Sequence, residues 1–107
     1  QELVAKLSSI LKRLLQGEEA HPELFELVRG CSAFLAEEPG LSEDQLSSLE
    51  TLTVLRILHS LGYVGKDPQF APYLASTGLS PALLDAVTPL RSLANRHINT
   101  ALKESHL

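Results

Sequence analysis

The chain is short of nearly everything that covalent or metal chemistry would use. One residue of its 107, Cys31, is a cysteine, so neither an intrachain disulfide nor a multi-thiolate metal site can be assembled, and a reducing compartment suits it. There is no tryptophan and only 5% of the residues are aromatic, which leaves the core to aliphatic side chains. β-Branched residues are sparse beside leucine, and that balance favours helix over sheet. No apolar run reaches the ~18 residues needed to span a bilayer, and the N-terminal stretch does not resemble a signal peptide. Methionine is missing even from position 1, so the expectation is an excised or processed piece of a longer protein. A Gly-rich phosphate loop, a nucleophile elbow and a paired-metal motif are also lacking, so neither an enzyme nor a cofactor or small-molecule substrate is expected.

What the chain does have is leucine at helical spacing. With 44% hydrophobic content it reads as a single domain over residues 1–107, large enough to bury about two-thirds of its unfolded surface. Leu3, Val4, Leu7, Ile10, Leu11, Leu14 and Leu15 follow one helical face, and Gly17 supplies a left-handed cap. A second stripe runs through Leu24, Leu27, Val28, Cys31, Phe34 and Leu35, opened by Pro22 at a first-turn position and closed by Pro39-Gly40. The third helix starts at "SEDQ", where Ser42 caps and Gln45 reaches back to complete a capping box.

That third helix continues into "LETLTVLRILHSLGYVG", residues 49–65, where apolar side chains fall on almost every side and only Glu50, Thr53, Arg56 and Ser60 keep a narrow polar strip. A helix apolar nearly all round belongs at the centre of a fold. Its end is written in the next residues: Gly62 as the cap, with Tyr63 and Val64 placed to fold back on the last turn. Residues 65–78 carry Gly65, Pro68, Pro72 and Gly78 and read as a connector with a short turn of helix around Phe70 to Leu74. "TGLSPALL" opens another helix with Ser80 as cap and Pro81 at the first position. Pro89 forces a kink or a restart capped by Thr88, and the final helix runs to about Glu104. The expected fold is all-α, a compact bundle of four to six helices around a central, mostly apolar helix at about 43–61.

Charge divides the chain. Its net charge is −4, yet residues 1–50 carry ten acids against Lys6, Lys12, Arg13 and Arg29, a net of −6, while residues 51–107 carry five bases against three acids, a net of +2. The acidic half repels nucleic acid, so an anionic partner would meet the second half. On the last helix, at 100° per residue, Arg91, Ser92, Asn95, Arg96, Asn99 and Lys103 share one arc of about 140° that holds no acid. A cationic, amide-rich face can hold phosphates or an acidic peptide. Arg91, Arg96 and Lys103 are therefore the candidate binding residues, extended by Arg56 if the third and last helices lie side by side. The bland reading of this face is an ordinary solvated surface, since three bases make a small patch without aromatics for base stacking.

The remaining chemistry-bearing residues read as structural. His21, His59, His97 and His106 include no pair at the four-residue spacing of a helical metal site, and His97 falls within the apolar arc of its helix as a packed side chain. The adjacent acids Glu18-Glu19, Glu37-Glu38 and Glu43-Asp44 flank helix ends and face different ways, so they make poor acid–base pairs. Cys31 lies on an apolar stripe as a small core residue.

Taken in order, "HPELFELVRGCSAFL", "LETLTVLRILHSLGYVG" and "RHINTALKESHL" resemble the C-terminal helical domain of the bacterial recombination mediator RecO, over nearly all of the chain. The most specific parts are the acid-then-Leu helix ending in Leu-Gly-Tyr and the closing Ala-Leu-Lys-Glu-Ser-His-Leu. Family members also carry an N-terminal oligonucleotide-binding fold, which this chain lacks. The resemblance implies DNA repair by recombination: loading of the strand-exchange recombinase onto single strands coated by single-strand-binding protein, and strand annealing, with RecR as partner, in the cytoplasm at the nucleoid. Many members insert a four-cysteine zinc segment after the Leu-Gly-Tyr helix. Here "KDPQFAPYLASTG" stands in its place without a cysteine, so no zinc is expected. The expected role is a non-catalytic module that docks protein partners and touches single-stranded DNA weakly. The alternative is a stand-alone helical adaptor or regulator with no nucleic-acid role.

Overall fold

Helix boundaries follow the local signals closely. In a computed structural model that describes residues 22–64 and 67–104, the elements are α1 (Pro22–Glu37), α2 (Glu43–Ser60), a single turn α3 (Ala71–Leu74), α4 (Pro81–Val87), a 3-10 turn (Thr88–Leu90) and α5 (Arg91–Glu104). There is no strand among the described residues. The expected first helix, with Gly17, Glu18-Glu19 and His21, lies outside them, as does His106.

The start of α2 is held by a reciprocal pair. Ser42 Oγ accepts from the Gln45 N–H at 3.1 Å, and Gln45 Oε1 accepts from the Ser42 N–H at 2.9 Å, so two otherwise orphaned donors are satisfied. Glu43 and Asp44 add negative charge at the positive end of the helix dipole. At the other end Gly62 takes φ +83°, and the bonds from Gly62 N–H to His59 O (3.0 Å) and Tyr63 N–H to Leu58 O (2.9 Å) close the helix in a Schellman motif. Of the two residues expected to fold back, only Val64 does so fully: it is buried in the core, whereas Tyr63 stays 39% exposed.

Helix α2 is the axle of the bundle, touching α1, α3, α4, the 3-10 turn and α5. From Ser48 to Leu58 every residue but Glu50 is buried. Leu49, Leu52, Leu55, Ile57 and Leu58 are each no more than 1% exposed. Leu24, Cys31 and Phe34 of α1, Leu84 of α4 and Ala94, Ile98 and Ala101 of α5 join most of them in one cluster, with Phe70 inserted just before α3. The small Ala94 and Ala101 let α5 approach closely, and the absence of a large aromatic core is made good by interdigitated leucine.

The narrow polar strip of α2 is only partly open to solvent. Thr53 and Arg56 are 3% and 5% exposed: Thr53 meets Cys31 of α1, and Arg56 reaches the carbonyls of Tyr73 in α3 and of Gly78 beyond it. The restart at Pro89 also differs from the cap expected at Thr88. The chain passes through the 3-10 turn without a side-chain cap, and Thr88 Oγ1 donates instead to Leu84 O at 2.9 Å. With its single proton so used, Thr88 accepts from Ser48 Oγ at 2.8 Å, tying α4's end to a fully buried position of α2.

Truncating the axle should therefore cost heavily. Leu55→Ala or Leu58→Ala is expected to lower stability by ~2–5 kcal/mol, the range for a buried leucine whose cavity cannot collapse. Urea melts with a loss under about 1 kcal/mol for both variants would place this helix at the periphery of the fold.

Candidate functional site

Helix α5 lays Ala94, Ile98 and Ala101 against α2 and turns Ser92, Asn95, Arg96, Asn99, Thr100 and Lys103 to solvent. The acid-free arc read from the sequence is thus a real outward face. Arg96 and Lys103 stand exposed on it, with neither hydrogen bond nor ion pair to a described residue.

Arg91 sits at the edge of that arc and is partly engaged. Its Nη1 donates to Asp44 O at 3.0 Å and its Nη2 lies 3.3 Å from Asp44 Oδ1, so it ties the start of α5 to the first turn of α2. With Asp44 76% exposed, this pair is screened and contributes little to stability. Its effect is on the face: the third cation is half-neutralised before any ligand arrives.

Arg56 does not join the other three. Helices α2 and α5 do lie together, yet the Arg56 side chain leaves α2 on another side, where Nε donates to Tyr73 O at 2.8 Å and Nη1 to Gly78 O at 3.0 Å. It is 5% exposed and burial lowers its pKa, since the charged form has lost water. A guanidinium so placed fastens α3 and the segment after it to the axle. The sequence did hold a signal for this, an arginine flanked by Leu55 and Ile57 in a helix apolar on nearly every side, but nothing in it located the two carbonyls.

A second polar contact was not visible in the sequence. Asp67 Oδ1 accepts from the Gln69 N–H at 2.9 Å, and Asp67 Oδ2 lies 3.0 Å from His97 Nε2. The half-buried His97 ring meets Phe70 edge-on, with centroids 5.6 Å apart and planes at 89°. Residues 67–70 are thereby fixed to α5 across thirty positions of sequence. The Gln69 N–H, and after it His97, hold the Asp67 carboxyl below its usual range by favouring the charged form.

Other candidates resolve as structural features. Cys31 is fully buried, and burial raises its thiol pKa although the Thr53 hydroxyl pulls the other way, which makes it a poor nucleophile. His59 is exposed at the end of α2. Among the described residues no three His, Cys, Asp or Glu side chains converge to hold a metal ion. No helix among them is long and apolar enough to cross a membrane.

Compared with known proteins, the chain matches no family model, no curated protein and no solved structure.

The Asp67 contact predicts a sign for pH dependence. A carboxylate with a depressed folded pKa stabilises the protein above its unfolded value, near 3.8, and loses that contribution as pH falls through the folded value. Asp67→Asn can keep the Gln69 bond but not the charge. The stability gap between wild type and this variant, from urea melts, should be larger at neutral pH than in acid below the ordinary carboxylate range. An unchanged gap would mean that the charge is not used.

Proposed function

We propose that this chain is the non-catalytic helical module of a recombination mediator of the RecO type, working as a docking surface for protein partners with auxiliary contacts to single-stranded DNA. The observation that carries the reading is the exposed, acid-free face of α5 with Arg96 and Lys103 unengaged and Asn95 and Asn99 between them. Cations supply attraction to phosphate or carboxylate, and amides supply hydrogen bonds of either polarity. The sequence resemblance supplies the partners, RecR and single-strand-binding protein, and with them a place in the cytoplasm at the nucleoid. Among the described residues no nucleophile or metal-binding set accompanies this face, and the proposed role is accordingly binding.

The same face limits the strength of DNA contact. Two free cations and one partly engaged arginine neutralise few phosphates, and a chain of net charge −4 begins without favourable long-range attraction. This scarcity of free cations favours the second reading, a helical adaptor that uses the face for an acidic protein segment and has no nucleic-acid role.

Salt dependence distinguishes the two. Binding of labelled single-stranded DNA should weaken with log salt at a slope of about −1.4 for two phosphates or about −2.1 for three, using ~0.7 per phosphate. An Arg96→Glu, Lys103→Glu double variant should lose that binding while remaining folded by circular dichroism. An acidic, Phe-ended peptide of the kind found at the tail of single-strand-binding proteins, titrated in parallel, should respond to the same variant. Loss of peptide binding alone supports the adaptor; equal binding of both ligands by both proteins shows that the face is only solvated.

A further inference from the structure

Arg91, Asn95, Asn99 and Lys103 recur every four residues, and on a helix such a row forms one continuous ridge, here with Arg96 on its flank. At ~1.5 Å per residue the ridge runs ~18 Å, with a cation at each end and amides between. Asn95, Arg96, Asn99 and Lys103 are exposed. Arg91 is the exception: its side chain is only 27% exposed and is turned to the first turn of α2.

That end of the ridge is bordered by acids. Arg91 Nη1 donates to Asp44 O at 3.0 Å, and Nη2 lies 3.3 Å from Asp44 Oδ1. One residue on, Gln45 Nε2 donates to Asp85 Oδ1 at 3.2 Å, which brings a second exposed carboxylate to the same turn. An anionic chain laid along the ridge would therefore meet Arg96 and Lys103 as open cations, and at Arg91 a guanidinium whose counter-ion is already in place.

The Asp44 carboxylate is not what the fold needs. It is 76% exposed, so its ion pair adds little to stability, and the start of α5 is also held by the main-chain carbonyl of Asp44, which requires no charge. Helix α2 keeps its Ser42–Gln45 box whether or not residue 44 is an acid. What the carboxylate does is oppose any second anion that approaches Arg91, since like charges this close repel even through water.

We infer that Asp44 is a specificity-determining residue of the α5 face: its carboxylate withholds Arg91 and confines an anionic chain to the part of the ridge between Arg96 and Lys103. This builds on the role proposed for that face and gives the face a length. With Arg91 withheld, the two open cations stand ~10 Å apart along the axis, and a single strand neutralises two phosphates there instead of three. Neutralising the carboxylate admits Arg91 as the third.

The test is a titration of labelled single-stranded DNA with the full chain over a range of salt concentrations. Wild type should weaken with log salt at a slope of about −1.4, and Asp44→Asn at about −2.1, from ~0.7 per phosphate. At low salt Asp44→Asn should bind about two- to fivefold more tightly, the range that an exposed charge pair spans. Glu43→Gln removes the same charge one residue away from a side chain that is not among the partners of Arg91, and should keep the wild-type slope. Arg91→Gln added to Asp44→Asn returns the net charge to that of wild type and should remove the gain. A wild-type slope or no binding in Asp44→Asn, a gain matched by Glu43→Gln, or a gain that survives Arg91→Gln would each overturn the assignment of Asp44. The face itself is decided separately by the Arg96→Glu, Lys103→Glu variant. Loss of DNA by that variant with no gain in Asp44→Asn leaves the face standing and removes only the role of Asp44, whereas equal binding by that variant and wild type removes both.

Discussion

Burial of α2 from Ser48 to Leu58 is the constraint on which the rest of this fold depends. A helix covered on all sides cannot leave any polar group to water, and α2 carries Ser48, Thr51, Thr53 and Arg56 within its buried span. The surrounding elements are placed so that partners arrive. The end of α4 brings Thr88 to Ser48, and α3 and the segment after it bring the Tyr73 and Gly78 carbonyls to Arg56. At roughly 1.5–3 kcal/mol per buried aliphatic side chain before entropy is subtracted, the apolar residues of α2 outweigh any surface contact such as Arg91 with Asp44. The connector after α2 is therefore a fastened part of the structure, fixed by Arg56 at residues 73 and 78 and by the Asp67–His97 contact at its start.

Local chemistry was legible in the sequence because it is written within a few residues. The Ser42–Gln45 box, the Ser80 cap with Pro81 behind it, the Gly62 stop and the Pro22 start are all written within at most five positions, and all are present. The central place of α2 was legible too, since apolar residues on nearly every side leave no other location. Contacts across longer separations were not. Arg91 meets Asp44 forty-seven residues away, and His97 meets Asp67 at thirty, distances over which a single sequence carries no pairing information. Arg56 shows the physical reason most plainly: spacing placed it on a polar strip, but whether a strip meets water or other chain is decided by tertiary packing.

The candidate site divides in the same way. The α5 face was read from angular spacing alone, and Arg96 and Lys103 do face solvent, because a helix with a buried stripe of Ala94, Ile98 and Ala101 must turn its opposite side outward. Its extension by Arg56 depended on how two helices sit, and the guanidinium instead reaches the Tyr73 and Gly78 carbonyls. The molecule thus presents its positive charge in two settings. One is open, shared among amides and suited to weak, salt-sensitive contacts; the other is buried and engaged with the backbone carbonyls of residues 73 and 78. The first supports a docking module, and the second is a property of the core that such a module would carry with it.

The central claim, that α2 is the element whose burial holds all others, is tested most directly by native-state hydrogen exchange. Amides from Leu52 to Leu58 should be the slowest in the molecule and should exchange only through global unfolding, with a free energy equal to that from urea melts, while amides of α5 and of residues 70–75 open earlier. Exchange of the α2 amides at a lower free energy than those of α1 or α5 would contradict the account.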